Sequence, residues 1–137
     1  MWKYVTLVCD GVDLTRKLTE IHAVSLIILN IPSYRYVRAH PACCNSSSSA
    51  GYSPWGSPSS SSEFTDSKIS DRKFEVLACS QQQFANVFIG KGTGERIAQS
   101  SQIEIKIRET ALAVQIDGEA VKIEPTTIKI RYKNQHQ

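Results

Sequence analysis

Apolar and polar positions alternate over most of the second half of this chain. Ile103, Ile105 and Ile107 are separated by Glu104 and Lys106, and Arg108 follows. A period of two marks a strand with one buried face. Ile128, Ile130 and Tyr132 alternate with Lys129, Arg131 and Lys133 and predict a last strand. Between these runs, Val114-Gln115-Ile116 and Ala120-Val121-Lys122-Ile123 flank Asp117-Gly118-Glu119. Asp-Gly between two alternating runs is a strong hairpin signal. Upstream, Phe74-Glu75-Val76-Leu77-Ala78 reads as a short strand. The period then changes: Ser80 stands where an N-cap would, Phe84, Val87 and Phe88 recur at helical spacing, and Gly90 closes the helix. Near the start, Tyr4 to Cys9 is rich in β-branched and aromatic residues and ends at the turn signal Asp10-Gly11. Val12-Asp13-Leu14 follows, then a polar stretch to His22. Ala23 to Ile31 predicts a strand buried on both faces, stopped by Pro32, which cannot donate to a sheet ladder. The pattern is mainly β, with sandwich-like sheets and one short helix.

One segment breaks the pattern. Ten of the seventeen residues from Ser46 to Ser62 are serine, with Pro54, Pro58 and two glycines among them. Such a stretch buries too little apolar area to offset the entropy of ordering it. Residues 35–62 are therefore expected to form a flexible insertion, with Trp55 as its one anchor. The chain as a whole, 137 residues and 41% hydrophobic, is about one domain's worth. Its longest apolar run is far short of the roughly 20 residues a spanning helix needs. Met1-Trp2-Lys3-Tyr4 opens without the apolar stretch of a signal peptide. Cys9, Cys43, Cys44 and Cys79 form no C-x-x-C pair; their even count would suit two disulfides in a secreted chain, but without a signal peptide reduced thiols in a cytoplasmic setting are expected. Cys9 and Cys79 fall in strand-like runs, where they would pack as small apolar groups.

Charge points to no nucleic acid. Sixteen Lys+Arg against thirteen Asp+Glu leaves +3, short of the dense basic footprint of a dedicated nucleic-acid binder. Lys129, Arg131 and Lys133 share one strand face, which reads as a solvent face or as an attraction for anionic lipid headgroups or nucleotide phosphates. Gly90-Lys91-Gly92-Thr93-Gly94 invites a phosphate-loop reading, yet its glycines match neither G-x-x-x-x-G-K-[ST] nor G-x-G-x-x-G. It also follows a helix instead of opening one, so a plain connection is the better reading. Arg96 beside it has a fork suited to a phosphate or a carboxylate. His22, His40 and His136 lie in loop-like or terminal sequence, and no serine sits in a nucleophile-elbow setting. Asp117 and Glu119 flank a glycine at a hairpin tip. The plain reading is a turn; the functional one is a rigidly held pair of acids able to orient a hydroxyl and take its proton.

Several segments together resemble the accessory domain of eukaryotic diacylglycerol kinases. They are Cys9-Asp10-Gly11-Val12-Asp13-Leu14, Leu29-Asn30-Ile31-Pro32-Ser33-Tyr34, Pro54-Trp55-Gly56, Phe74-Glu75-Val76, Gly94-Glu95-Arg96-Ile97-Ala98-Gln99, Val114-Gln115-Ile116-Asp117-Gly118-Glu119 and the run from Ile128 to Gln135. The likeness covers nearly all of residues 1–137 except 35–53. That stretch follows Tyr34 where the family has a short Gly-rich step, and it reads as an insertion or a retained intron.

The resemblance implies a lipid kinase that uses ATP and Mg²⁺ to phosphorylate diacylglycerol to phosphatidic acid. It implies that this chain is the β-rich accessory half of the cleft, N-terminally incomplete, with the enzyme's catalytic domain and membrane diacylglycerol as partners. The Gly-Gly-Asp-Gly-Thr nucleotide loop of the catalytic domain does not occur here, so the fragment alone is expected to be inactive and to hold no cofactor tightly. The family's Asp-Gly-Glu motif contributes an acid to the cleft, which makes Glu119 and Asp117 the catalytic candidates. In bacterial relatives an aspartate before the Phe-Glu-Val strand helps hold Mg²⁺; here the segment reads Ser70-Asp71-Arg72, and Asp71 alone matches. The implied location is cytoplasmic with recruitment to membranes. The competing reading is a non-catalytic β-rich module that meets anionic membrane through its basic strand face.

Overall fold

The computed structural model describes residues 1–31, 64–65, 71–88 and 93–133. The expected insertion at 35–62 lies outside them. The described chain is mainly β, in three antiparallel sheets. Strands β1 (Val5–Cys9), β2 (Val12–Asp13), β6 (Gln102–Ile107) and β9 (Thr127–Arg131) form a four-stranded sheet in the order β2-β1-β6-β9. Strands β3 (Ser25–Leu29), β4 (Phe74–Cys79) and β5 (Glu95–Ser100) form a second sheet in that order. Strands β7 (Leu112–Ile116) and β8 (Glu119–Ile123) pair with each other as a ribbon.

The two larger sheets share one core. In the first, Val5, Leu7 and Cys9 pair with Ile107, Ile105 and Ile103, and Ile103 and Ile105 pair onward with Ile130 and Ile128. Period-two alternation thus lays these residues on one face. Val5, Leu7, Cys9 and Ile103, with Ile105 and Ile130 half-buried beside them, meet Val76 and Ala78 of β4, Ile97 and Ala98 of β5, and Leu18 and Ala23. Leu7, Ile103 and Val76 are wholly buried; truncating a leucine in such a place costs about 2–5 kcal/mol.

Strand β4 is buried on both faces. Leu77 and Cys79 point to the side opposite Val76 and Ala78 and pack with Ile27 and with Val87 of helix α2 (Gln81–Phe88). That helix starts as its sequence predicts. Ser80 Oγ accepts from the Gln83 amide at 3.4 Å, and Gln83 Oε1 accepts from the Ser80 amide at 2.9 Å, a reciprocal capping box. The sequence predicts double burial for Ala23–Ile31 instead. Only Ser25–Leu29 forms a strand there, with Ile27 alone buried in it. Strand β3 is an edge, flanked only by β4 among the described residues, so most of its apolar run stays half-buried.

The polar stretch after Leu14 holds a short helix, α1 (Thr15–Glu20). Asp13 Oδ1 accepts from the Thr15 amide at 2.8 Å, which starts the helix; Leu18 is its one buried residue, with Leu14 and Ile21 half-buried against the core at its ends. Leu14, Leu18 and Ile21 stand at i, i+4 and i+7, a short helical period among polar residues.

A single residue, Ser101, separates β5 from β6, so the chain changes sheets there. Asp10 holds that corner. It and Gly11 form a two-residue turn, with φ 46° and 83° and Cys9 paired to Val12, as a type I′ hairpin requires. The Asp10 carboxylate accepts from the Ser101 amide at 3.2 Å, the Ser101 hydroxyl at 3.0 Å and the Gln102 amide at 2.9 Å. Partial burial opposes its ionisation, but these donors outweigh that and hold its pKa below the usual aspartate range. The adjacent Cys9 thiol is pushed up to about 11, first by burial and then by the Asp10 charge. Burial also raises Cys79. Both thiols are free, buried and protonated at neutral pH, packing as small apolar groups.

Candidate functional site at the β7–β8 hairpin

The ribbon forms because two alternating runs meet across Asp117-Gly118. Both turn residues have positive φ, 48° and 94°, and Ile116 pairs with Glu119. This is the two-residue turn that Asp-Gly favours. Gln115 Nε2 donates to the Gly118 carbonyl at 3.2 Å and braces the tip. Register decides which way each side chain leaves the ribbon. Leu112 opposes Ile123, Val114 opposes Val121, and Ile116 opposes Glu119, so these six share one face. Ala113, Gln115, Ala120 and Lys122 take the other. Leu112 packs against the main core at the base. Exposure rises toward the tip, where Val121 is 43% and Ile116 57% exposed. Asp117 and Glu119 are both exposed. The arrangement presents two carboxylates on a short turn, one of them at the end of an aliphatic stripe.

Arg96 lies on another sheet and is engaged within the protein. Its guanidinium meets Glu75 Oε2 through Nη2 at 2.5 Å and Nε at 2.6 Å. It also donates to the Thr65 carbonyl at 3.0 Å and lies 4.9 Å from the centre of the Phe64 ring. Gln99 Nε2 donates to the other Glu75 oxygen at 3.0 Å. A bulge makes this possible. Val76 pairs with Ala98 but Leu77 with Arg96, which leaves Ile97 as an extra residue in β5. Without it, residues 96 and 99 would leave opposite faces of the strand; with it, both reach Glu75. Of the two ligands that suit the Arg96 fork, the structure supplies the carboxylate. Glu75, a carboxylate in a buried strand, is the residue that sequence reasoning missed; its signal is a lone acid in an otherwise apolar run.

Asp71 precedes β4, and its Oδ1 accepts from the Lys73 amide at 3.0 Å. Among the described residues no group of three or more His, Cys, Asp or Glu side chains is placed to hold a metal ion. Gly94, from the glycine-rich run, is a packing residue: a Cβ there would lie 2.6 Å from Cys79 Sγ. Lys129 and Arg131 face outward from β9, and Lys129 pairs with Glu104 at 3.4 Å. They line a shallow depression of about 170 Å³ with Val8, Gly11 and Gln102. No helix among the described residues is long and apolar enough to cross a membrane.

Segments that are distant in sequence thus form shared units. Phe74-Glu75-Val76 and Arg96-Ile97-Ala98-Gln99 meet through the Glu75 cluster, and Cys9-Asp10-Gly11 grips Ser101. The diacylglycerol kinase accessory domain family matches residues 39–120. The chain belongs to that family. Human diacylglycerol kinase iota and human diacylglycerol kinase zeta are each 32% identical to it over 133 residues, 97% of this chain. Human diacylglycerol kinase kappa is 35% identical over 135 residues, again 97% of this chain. The chain spans only 11%, 13% and 9% of the lengths of these three kinases. No solved structure matches.

Proposed function

We propose that this chain is the accessory half of an ATP-dependent diacylglycerol kinase and that Glu119 serves the lipid hydroxyl. The observation that carries the reading is the Asp117-Gly118 turn. It holds Glu119 on a strand end, exposed, in a chain that belongs to the accessory-domain family. Glu119 accepts a hydrogen bond from the hydroxyl of diacylglycerol, orients it, and takes its proton as the oxygen attacks phosphorus. Asp117 supports the turn and adds negative charge beside it. Phosphate binding and metal binding belong, in this reading, to the complete enzyme's catalytic domain, which faces the ribbon across the cleft. ATP and Mg²⁺ act there, and no step is assigned to them through residues of this chain. The complete enzyme works from the cytoplasm at membranes that contain its lipid.

The test is kcat of Glu119→Gln in the complete kinase, with circular dichroism unchanged. The variant keeps shape and removes charge, and general-base roles contribute about 10²–10⁴-fold, so kcat falls by that order. KM for ATP stays near its original value, and Asp117→Asn loses less, because Asn also suits the turn. A kcat loss under about threefold, well short of the general-base range, would return Glu119 to a plain turn residue.

A further inference from the structure

The aliphatic face of the ribbon has no cover toward its tip among the described residues. Val114, Ile116 and Val121 form a stripe that begins at the pair of Leu112, which packs against the core, and Ile123, and ends beside Glu119. From the Leu112–Ile123 pair to the Ile116–Glu119 pair is four residues, or roughly 14 Å at the rise of an antiparallel strand. An isolated two-stranded ribbon is at best marginally stable in water, so an apolar face of this kind gains from a cover. The opposite face carries Gln115, Lys122 and two alanines and shows no such stripe.

We propose that this face seats the acyl chains of a neutral lipid alcohol, lying along Val114, Ile116 and Val121 with the hydroxyl end at Glu119. This rests on the proposed function and adds where the apolar part of the substrate lies. Charge selects the occupant. Asp117 and Glu119 bracket the open end of the stripe, so an anionic headgroup there would meet two like charges. A neutral hydroxyl offers a donor to a carboxylate instead. The stripe supplies apolar contact where the chains run, and the carboxylate supplies polarity where they stop. Diacylglycerol, named in the relatives, has this division of character.

The experiment is photolabelling of the 137-residue chain by diacylglycerol with a diazirine in one acyl chain, presented in phosphatidylcholine vesicles. Label is expected within 112–123, at Val114, Ile116 and Val121. Ile116→Thr combined with Val121→Thr keeps β-branching, which suits strands. Exchanging this apolar contact for hydroxyls should lower ribbon labelling about tenfold, equivalent to ~1.4 kcal/mol. Phosphatidic acid with the same diazirine should label the ribbon more weakly than diacylglycerol. Label found elsewhere, a double variant labelled like the original, or phosphatidic acid labelling the ribbon equally well would each overturn the inference. The map on the unaltered chain decides the matter even if the double variant fails to fold. Labelling reads the chain end of the lipid, whereas kcat of Glu119→Gln reads the hydroxyl end. A labelled ribbon with an unaffected kcat would sink the proposed function and leave the lipid face standing.

Discussion

Removing one partner from the Glu75–Arg96 pair should cost far more than removing both. The pair is nearly dry, with side-chain exposures of 2% for Glu75 and 12% for Arg96. Arg96→Met leaves the Glu75 carboxylate buried with Gln99 as its remaining side-chain donor among the bonds described above. Breaking a buried pair from one side typically costs about 3–5 kcal/mol. The loss of the Thr65 hydrogen bond adds about 1 kcal/mol, and the loss of the Phe64 contact about 0.5–1 kcal/mol. The retained Gln99 bond and the 12% exposure of the arginine work the other way. A net cost of about 3 kcal/mol follows, with Glu75→Met near 2 kcal/mol because Arg96 reaches closer to water. The double variant exchanges the pair for two thioethers of similar length, and apolar replacement of buried ion pairs is often neutral. It should lie within about 1 kcal/mol of the original, giving a coupling energy of about 4 kcal/mol. The assay is urea unfolding of all four proteins at neutral pH, compared at unchanged m. Additive single effects, with coupling below about 0.5 kcal/mol, would refute the argument that the carboxylate and guanidinium depend on each other.

Two further outcomes follow from close contacts. Gly94→Ala places a methyl 2.6 Å from Cys79 Sγ and should cost about 1–3 kcal/mol as an overpacked site; Cys79→Ala in the same chain should recover part of that loss in thermal unfolding. Asp10→Asn removes a charge that three donors favour and should destabilise the chain by about 1 kcal/mol at pH 7. The pKa of Asp10 is lowered on folding, so its contribution is present above the unfolded value of about 3.9 and is lost as pH falls through the lower folded value. The gap between the two proteins in urea midpoint should therefore close below about pH 4, and a gap that widens there would contradict the clamp.

Period and turn chemistry were legible without coordinates. The alternation in Gln102–Ile107 and Thr127–Arg131, the Asp-Gly turns at Asp10 and Asp117, and the Ser80 cap are local properties. Each depends on residues a few positions apart, and backbone sterics and side-chain period act at that range. The same locality placed Asp117 and Glu119 on a tip, and the order of motifs carried the family likeness. Only the tertiary structure decided which strand is buried on both faces. Ser25–Leu29 and Phe74–Cys79 are both apolar runs, but one is an edge and the other a centre, and strand order is a long-range outcome. The fate of Arg96 was likewise undetermined by its neighbours in sequence. A bulge at Ile97 turns it toward Glu75, twenty-one residues away, and a bulge changes the face of every residue beyond it. Helix α1 rests on the core through Leu18, with Leu14 and Ile21 half-buried beside its ends, and the surface it packs on comes from segments distant in sequence.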